Sequence, residues 1–234
     1  MLCGAKGSLL EVYMYFSANA DTHPARVAPK LYRGLRVALV VPCYNEEVSI
    51  ARVIREFREA LAELEIYVFD NSSRDKTAAI AINEGAHLRH VALRGKGNVV
   101  RRIFADVDAD VYVMVDGDAT YDASCVRRLV DRLIDDRLDM IVGCRESTLA
   151  DLKLAYRFGH QWGNRLLTES VSRIFGGNFK DMLSGDRAFS RRYAKSFPAS
   201  SEGFEIETEL TVHALELRMP YGEEVTAYGG RAEG

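Results

Sequence analysis

The sequence has little of what marks membrane-spanning, nucleic-acid-binding or disulfide-stabilised proteins. No apolar run in its 234 residues approaches the ~20 residues that a membrane-spanning helix needs. Its formal net charge is -3 and its basic residues are scattered, so no nucleic-acid partner is expected, because a duplex-binding protein needs a positive face. The four cysteines form no CxxC pair, which excludes the usual signals of a zinc site or a disulfide framework.

The first 34 residues do not have the pattern of a secretory signal peptide. They contain a short apolar patch but no basic region ahead of a longer apolar stretch, as a secretory signal would have. We therefore expect a poorly ordered leader at residues 1–34. Residues 35–234 are then expected to form one domain, since this length and a hydrophobic content of 47% suffice for a single large core.

What is present, from residue 35 onward, is a regular alternation of apolar strands and amphipathic helices. In the run RVALVV at 36–41 every residue after Arg36 is apolar, which is typical of a strand covered on both faces. Asn45 is the expected cap of the helix that follows, with Glu46 and Glu47 in its first turn. Its predicted buried face is Ile50, Val53, Ile54, Phe57, Leu61 and Leu64.

The same unit then recurs along the chain. Further strands are predicted at EIYVFD, HLRHVAL, VYVMVD and MIVGC, and a capping box from Ser72 to Asp75 predicts the start of the second helix. Repeated strand–helix units predict an α/β, Rossmann-like fold with a mainly parallel, twisted sheet and helices on both faces.

Polar segments follow the predicted strands where each strand ends. These segments read PCYNEE, DNSSRD, RGKGN and DGDATYD. In open α/β sheets, ligands bind beyond the carboxyl ends of the strands. The four segments therefore indicate one functional site at a single edge of the sheet.

Asp116 and Asp118 are the strongest candidates within these segments. They follow a buried strand and are separated by Gly117, so both carboxylates can lie near one cation. Oxygen ligands without His or Cys favour Mg²⁺ or Mn²⁺, with a diphosphate as the natural partner. An Asp-Gly pair is also common in simple turns, and the residues alone leave that alternative open.

Asp70 and the RGKGN loop add two further candidates. Asp70 ends a strand, where its carboxylate can accept hydrogen bonds from a nucleobase or a ribose, or can cap the next helix. Arg94, Lys96 and two glycines lie where a loop meets a helix, a position suited to phosphate oxygens. The spacing matches neither a P-loop nor a GxGxxG fingerprint.

In their order along the chain, PCYNEE, DNSSRDKT, RGKGNVVRR and DGDATYDA resemble family 2 glycosyltransferases of the GT-A fold. The sequence is most similar to the branch containing dolichyl-phosphate mannose synthase and polyprenyl-phosphate glycosyltransferases. The likeness continues through GHQWGNRLL, DMLSGDRAFSRR and GFEIETELTVHALEL, and so covers nearly everything from residue 35 onward.

The resemblance implies roles for the matching residues. It implies nucleoside binding by Pro42, Tyr44, Asn45 and Glu46, base recognition by Asp70, ribose and phosphate contacts by Lys96 and Gly97, metal binding by Asp118 with Asp116, and phosphate contact by Arg187. The implied reaction is an inverting transfer from a UDP- or GDP-sugar, in which Mg²⁺ or Mn²⁺ stabilises the departing diphosphate.

The implied acceptor is a polyprenyl phosphate, whose anionic oxygen requires no strong base. A sugar hydroxyl would require one, and Asp181 is the candidate, unless it caps a turn. Segment 149–177 interleaves apolar and basic residues and is expected either to rest on a membrane surface or to be a core helix. The expected location is cytoplasmic, at the inner face of the membrane.

Two departures from the family pattern bear on these expectations. Asp186 stands between Gly185 and Arg187, where the family commonly has an aromatic residue. The final YGGRAEG resembles the start of a longer motif, so the domain is expected to be truncated at its C-terminus. Glu205 and Glu207 either line the acceptor pocket or are ordinary residues of a helix start.

Two other function classes remain open on the sequence. A nucleotidyltransferase that makes nucleotide sugars would be expected to have a Gly-rich, basic first loop, whereas PCYNEE is acidic. The third class is a non-catalytic nucleotide-sugar-binding fragment. The intact acids at Asp70, Asp116 and Asp118 argue against it, whereas the expected C-terminal truncation keeps it open.

Overall fold

A computed structural model of the protein describes residues 30–145 and 181–226. Within these residues, the strands form one sheet: β1 (Val37–Cys43), β2 (Glu65–Asp70), β3 (His87–His90), β4 (Val111–Met114), β5 (Met140–Arg145), β6 (Arg187–Ser190) and β7 (Tyr221–Thr226). Their order is β3-β2-β1-β4-β6-β5-β7. Strand β6 runs antiparallel to β4 and β5, and the other pairs are parallel. The predicted mainly parallel sheet is confirmed.

Helices pack on both faces of this sheet. They are α1 (Ile50–Ala60), α2 (Thr77–Asn83), α3 (Lys96–Asp106), α4 (Val126–Asp135), α5 (Arg191–Ser196) and α6 (Ile206–Glu216), with a 3₁₀ turn at Ala123–Cys125. Buried side chains of α3, α5 and α6 belong to one apolar core, and those of α1, α2 and α4 belong to the other. The sheet is therefore the middle layer of three.

Strand β1 is buried on both faces of the sheet, which explains its continuous apolar sequence. Ala38 and Val40 lie in the core beneath α3, whereas Leu39 and Val41 lie in the opposite core. None of the four is more than 1% exposed. Since successive side chains of a strand alternate between faces, a strand covered on both sides has no position for a polar residue.

Helix α1 begins later than predicted. Its first residue is Ile50, and the expected cap, Asn45, lies in the preceding loop with a left-handed φ of 55°. The Asn45 side-chain oxygen accepts a hydrogen bond from the backbone N–H of Arg74 at 2.8 Å. Asn45 thus joins the loops after β1 and β2 instead of capping the helix.

The predicted capping box at Ser72 is also corrected. Ser72 has a left-handed φ of 63°, and α2 begins only at Thr77. Asp75 accepts hydrogen bonds from the Thr77 backbone N–H, at 3.0 Å, and from its hydroxyl, at 2.5 Å. The loop is longer than predicted because its polar side chains bond within it and across to the first loop.

Part of the predicted leader is packed against the domain. Tyr32 is buried, and its hydroxyl donates to Asp131 on α4 at 2.8 Å. Residues 1–29, the predicted amphipathic segment 149–177 and the end of the chain at 228–234 lie outside the described residues. Among the helices that are described, none has the length and apolar character to span a bilayer.

Candidate functional site

The polar segments predicted to converge do meet at one edge of the sheet. A cavity of about 510 Å³ lies there. Of the predicted site residues, those lining it are Pro42, Tyr44, Glu46, Lys96, Asp116 and Asp118. Its wall also includes Asn71, Arg94, Phe204 and Glu207. The remaining candidates, Asn45, Asp70, Gly97, Asp181 and Arg187, are not in that wall.

A buried lysine links three segments that are far apart in sequence. The Lys96 ammonium donates to Asp116 Oδ1 at 2.6 Å and to Glu207 Oε1 at 2.7 Å, and its side chain is 7% exposed. Burial lowers the pKa of Lys96, but the two carboxylates outweigh this and the pKa is raised. Lys96 is therefore charged, and the carboxylates of Asp116 and Glu207 balance its charge inside the cavity.

The backbone of Gly185 passes close to the second oxygen of Asp116. A Cβ atom placed on Gly185 would lie 2.5 Å from Asp116 Oδ2, so a larger residue there would press on this carboxylate. The Gly185 backbone N–H donates to the Tyr121 hydroxyl at 2.9 Å, which fixes the segment in place. One Asp116 oxygen is thus bonded to Lys96, and the side chain is still 31% exposed.

Asp118 is also partly exposed. Its Oδ1 accepts hydrogen bonds from the Thr120 backbone N–H at 3.2 Å and the Thr120 hydroxyl at 2.7 Å. Its Oδ2 accepts none from the part of the chain that the structure describes. Asp118 therefore presents a carboxylate oxygen that is available to a ligand.

These two acids fit a cation that is completed by phosphate and water. No group of three or more His, Cys, Asp or Glu residues able to hold a metal occurs within 30–145 and 181–226. Mg²⁺ is usually held by one or two protein carboxylates, substrate phosphates and waters, whereas a structural zinc site needs four protein ligands. The donor set at Asp118 and Asp116 matches the first arrangement.

Gly97 supports the cavity from outside its wall. Its backbone N–H donates to the Glu202 carbonyl at 2.9 Å and to the Gly203 carbonyl at 3.2 Å. A Cβ atom on Gly97 would lie 2.1 Å from the Ser201 carbonyl oxygen. This glycine lets loop 201–203, which leads to Phe204 and Glu207, dock on the start of α3.

We expect Gly97→Ala to displace that loop and lower the free energy of unfolding by about 1–3 kcal/mol, because the clash is with backbone, which cannot rotate away. Gly222→Ala is the matched control, because its nearest atom is the end of the flexible Leu138 side chain. Urea unfolding of both variants measures the difference. Equal stability of the two would contradict the role given to Gly97.

Asp70 is buried beside the cavity. It is 3% exposed; its Oδ1 accepts from the Ser73 backbone N–H at 3.2 Å, and its Oδ2 lies 3.1 Å from His90 Nδ1. The next residue, Asn71, lines the cavity and accepts a hydrogen bond from the Gly95 backbone N–H at 2.8 Å. Asp70 shapes the loop here, and base recognition by Asp70 stays a prediction.

Arg187 lies in the protein core, which corrects the phosphate contact predicted for it. It is fully buried, and its guanidinium donates to the Ser184 carbonyl at 2.8 Å, to the Thr211 hydroxyl at 3.0 Å and to the Met182 carbonyl. Burial lowers its pKa. Since these donors are used within the core, Arg187 fixes the segment before β6 and does not reach the cavity.

Asp181 is also away from the cavity wall. It is 7% exposed, and its backbone N–H donates to Glu223 Oε1 at 3.4 Å. Its role as a base stays a prediction.

Asp186, the departure from the family pattern, faces the interior. It is 2% exposed, and a Cβ atom on Gly143 would lie 2.3 Å from its Oδ2. Burial, followed by the charges of Asp116 and Asp122, raises its pKa to about 7. The acid therefore does not meet an anionic ligand in the cavity.

The profile of glycosyl transferase family 2 matches residues 38–197. The chain belongs to glycosyl transferase family 2. This result confirms the predicted enzyme class, a glycosyltransferase, and agrees with the observed layers and strand order.

Relatives of this glycosyltransferase occur in bacteria and archaea. Protein RfbJ from Shigella flexneri is 50% identical over 131 residues, which are 56% of this chain and 100% of RfbJ. Glycosyltransferase AglJ from Haloferax volcanii is 34% identical over 201 residues, which are 85% of this chain and 64% of AglJ. The chain thus spans less than two thirds of the archaeal relative.

Solved structures share the fold of this glycosyltransferase. Glucosyl-3-phosphoglycerate synthase from Mycobacterium tuberculosis, crystallised with Mn²⁺, UDP-glucose and phosphoglyceric acid, aligns with a TM-score of 0.67 at 24% identity. The alignment covers 86% of this chain and 74% of that chain. It confirms the predicted GT-A fold.

Proposed function

We propose that this glycosyltransferase transfers a hexose from a UDP- or GDP-sugar, with inversion and with the help of Mg²⁺ or Mn²⁺, to a polyprenyl phosphate. The observation that carries the proposal is the placement of Asp116 and Asp118 in the wall of the cavity at the carboxyl edge of the sheet. There, one carboxylate oxygen of Asp118 is available and Asp116 is held rigidly.

The donor half of the proposal has support outside this chain. The structural neighbour was crystallised with UDP-glucose, Mn²⁺ and phosphoglyceric acid, and in another crystal with UDP. A cavity of about 510 Å³ with both apolar and charged walls has the size of a small-molecule site. A UDP-sugar is therefore the first donor to test.

Different residues of the cavity would bind different parts of the donor. Asp118 would bind the cation, with Asp116 at its side, and the cation would neutralise charge on the departing diphosphate. Tyr44 offers an aromatic ring, 43% exposed, for the base, and Pro42 borders the same wall. Lys96 holds Asp116 in place through the 2.6 Å contact.

The acceptor half rests on the sequence resemblance to the polyprenyl-phosphate branch. An anionic phosphate oxygen can attack without a general base, which agrees with a cavity wall whose acids are partly taken up by Lys96. With a hydroxyl acceptor, Asp181 would be the candidate base. A lipid acceptor would place the enzyme at the cytoplasmic face of a membrane, in peripheral contact with it.

We expect the purified protein with Mn²⁺ to transfer radiolabelled sugar from UDP-glucose, UDP-galactose, UDP-N-acetylglucosamine or GDP-mannose to undecaprenyl phosphate. Labelled product in the organic phase is the readout. Omission of the lipid is the control for donor hydrolysis. Label transferred only to soluble sugars would contradict the lipid acceptor, and release of pyrophosphate from a nucleoside triphosphate and a sugar phosphate would instead favour a nucleotidyltransferase.

A further inference from the structure

Two cations line the cavity, and only one of them is balanced by carboxylates. Lys96 contacts both Asp116 and Glu207. Arg94, the other cation in the wall, has neither an ion pair nor a guanidinium hydrogen bond anywhere in the described part of the chain. Because Arg187 is in the core, Arg94 is the cavity cation that remains available to an anion.

The Arg94 side chain rests on an aromatic ring. Its guanidinium carbon lies 4.8 Å from the centroid of the Tyr44 ring, a cation–π arrangement. Both residues are exposed, so this contact is weak and easily exchanged. Tyr44 therefore has one ring face covered by a side chain that can leave it.

The backbone beneath Arg94 is fixed, in contrast to its side chain. The Arg94 carbonyl accepts a hydrogen bond from the Asn98 side chain at 2.9 Å. The next residue, Gly95, donates to Asn71 at 2.8 Å. The guanidinium can thus move on a long side chain from an anchored position in the cavity wall.

We propose that Arg94 is the phosphate-binding side chain of the donor site, and that its guanidinium leaves the Tyr44 ring when the donor binds and the nucleobase stacks there. This inference rests on the proposed function. A planar guanidinium presents paired N–H donors that match phosphate oxygens. When the nucleotide binds, Arg94 and Tyr44 each change partner. The base stacks on the Tyr44 ring, and the diphosphate binds the Arg94 guanidinium.

The charges in the cavity wall support the assignment of Arg94 to the diphosphate. Its wall carries the carboxylates of Glu46, Asp116, Asp118 and Glu207, and Lys96 is already shared by two of them. A diphosphate entering among four acids requires positive charge besides the bound cation. Arg94 supplies it without breaking an existing ion pair.

The test is calorimetric titration of UDP and of uridine, with Mn²⁺ present, into the wild type and the variants Arg94→Ala, Arg94→Lys and Arg102→Ala. We expect Arg94→Ala to weaken UDP binding about 10- to 100-fold, the usual effect of losing a charge-assisted hydrogen bond. Uridine binding should be unchanged or tighter, because the Tyr44 ring is no longer covered. Arg94→Lys should recover part of the loss.

Arg102→Ala is the matched control. Arg102 is an exposed arginine on α3 that pairs with Asp106 at 2.6 Å and does not line the cavity, so its loss tests the effect of net charge alone. UDP affinity that is the same in Arg94→Ala and the wild type would overturn the inference. So would an equal loss for uridine and UDP, which would mean that Arg94 only supports the loop. Failure of the wild type itself to bind UDP and GDP would overturn the proposed function along with it.

Discussion

Asp118→Ala is expected to abolish metal-dependent nucleotide binding and to lower the rate of sugar transfer about 100- to 1,000-fold. The physical reason is the position of its Oδ2, which lies in the cavity wall and has no hydrogen bond among the described residues. Removing one group that stabilises developing charge commonly has an effect of this size. Binding is measured by titrating UDP with Mn²⁺, and transfer by the radiolabel assay.

Asp136→Ala is the control for this variant. Asp136 follows α4, is half exposed and pairs with Arg132 at 3.3 Å, so its loss removes the same charge far from the cavity wall. It should bind UDP as the wild type does. If Asp118→Ala kept Mn²⁺-dependent UDP binding, the metal ligand would have to be found elsewhere.

Asp186→Asn is expected to stabilise the protein at pH 8 but not at pH 4. Burial, with the charges of Asp116 and Asp122, raises the pKa of Asp186 from its ordinary value of 3.8 to about 7. Because the folded state binds the proton more tightly, the contribution to stability is fully present below pH 3.8 and is lost as the pH rises to about 7. At ~1.4 kcal/mol for each pKa unit, the loss is about 4 kcal/mol.

The asparagine has nearly the same shape and no charge to bury. Its advantage over the wild type should therefore grow from near zero at pH 4 to several kcal/mol at pH 8. Urea unfolding of both proteins across this range measures it, and taking the difference removes the titration of the other carboxylates. If the difference in unfolding free energy between the two proteins did not change with pH, ionisation of Asp186 would not destabilise the folded protein, which would contradict this prediction.

The architecture could be predicted because burial on both faces leaves a strong mark in the sequence. The run at 37–41 has no polar residue, since β1 is covered by helices on both sides. The strand ends were equally readable, because Asp116 and Asp118 follow such a run directly. The helix starts at Asn45 and Ser72 were mispredicted, because side chains that resemble caps instead bond across neighbouring loops.

The site was predicted less completely because part of it depends on contacts between distant segments. Glu207 reaches Lys96 across 111 positions, and no local pattern indicates that pairing. Arg187 was mistaken for a phosphate ligand, since a sequence does not show that a guanidinium is satisfied by core carbonyls. The sequence around Phe204 did not indicate that this residue lines the cavity, because its position there depends on the docking of its loop on Gly97.

The measurement that most directly tests the central claim is titration of UDP and GDP into the wild-type protein, once with Mn²⁺ and once with a chelator. The cavity at Asp116 and Asp118 predicts that one of the two nucleotides binds in the presence of Mn²⁺ and that chelation abolishes the binding. Absence of binding in a protein shown to be folded, or binding of equal strength with the chelator, would contradict a metal-dependent nucleotide-sugar site at this edge of the sheet.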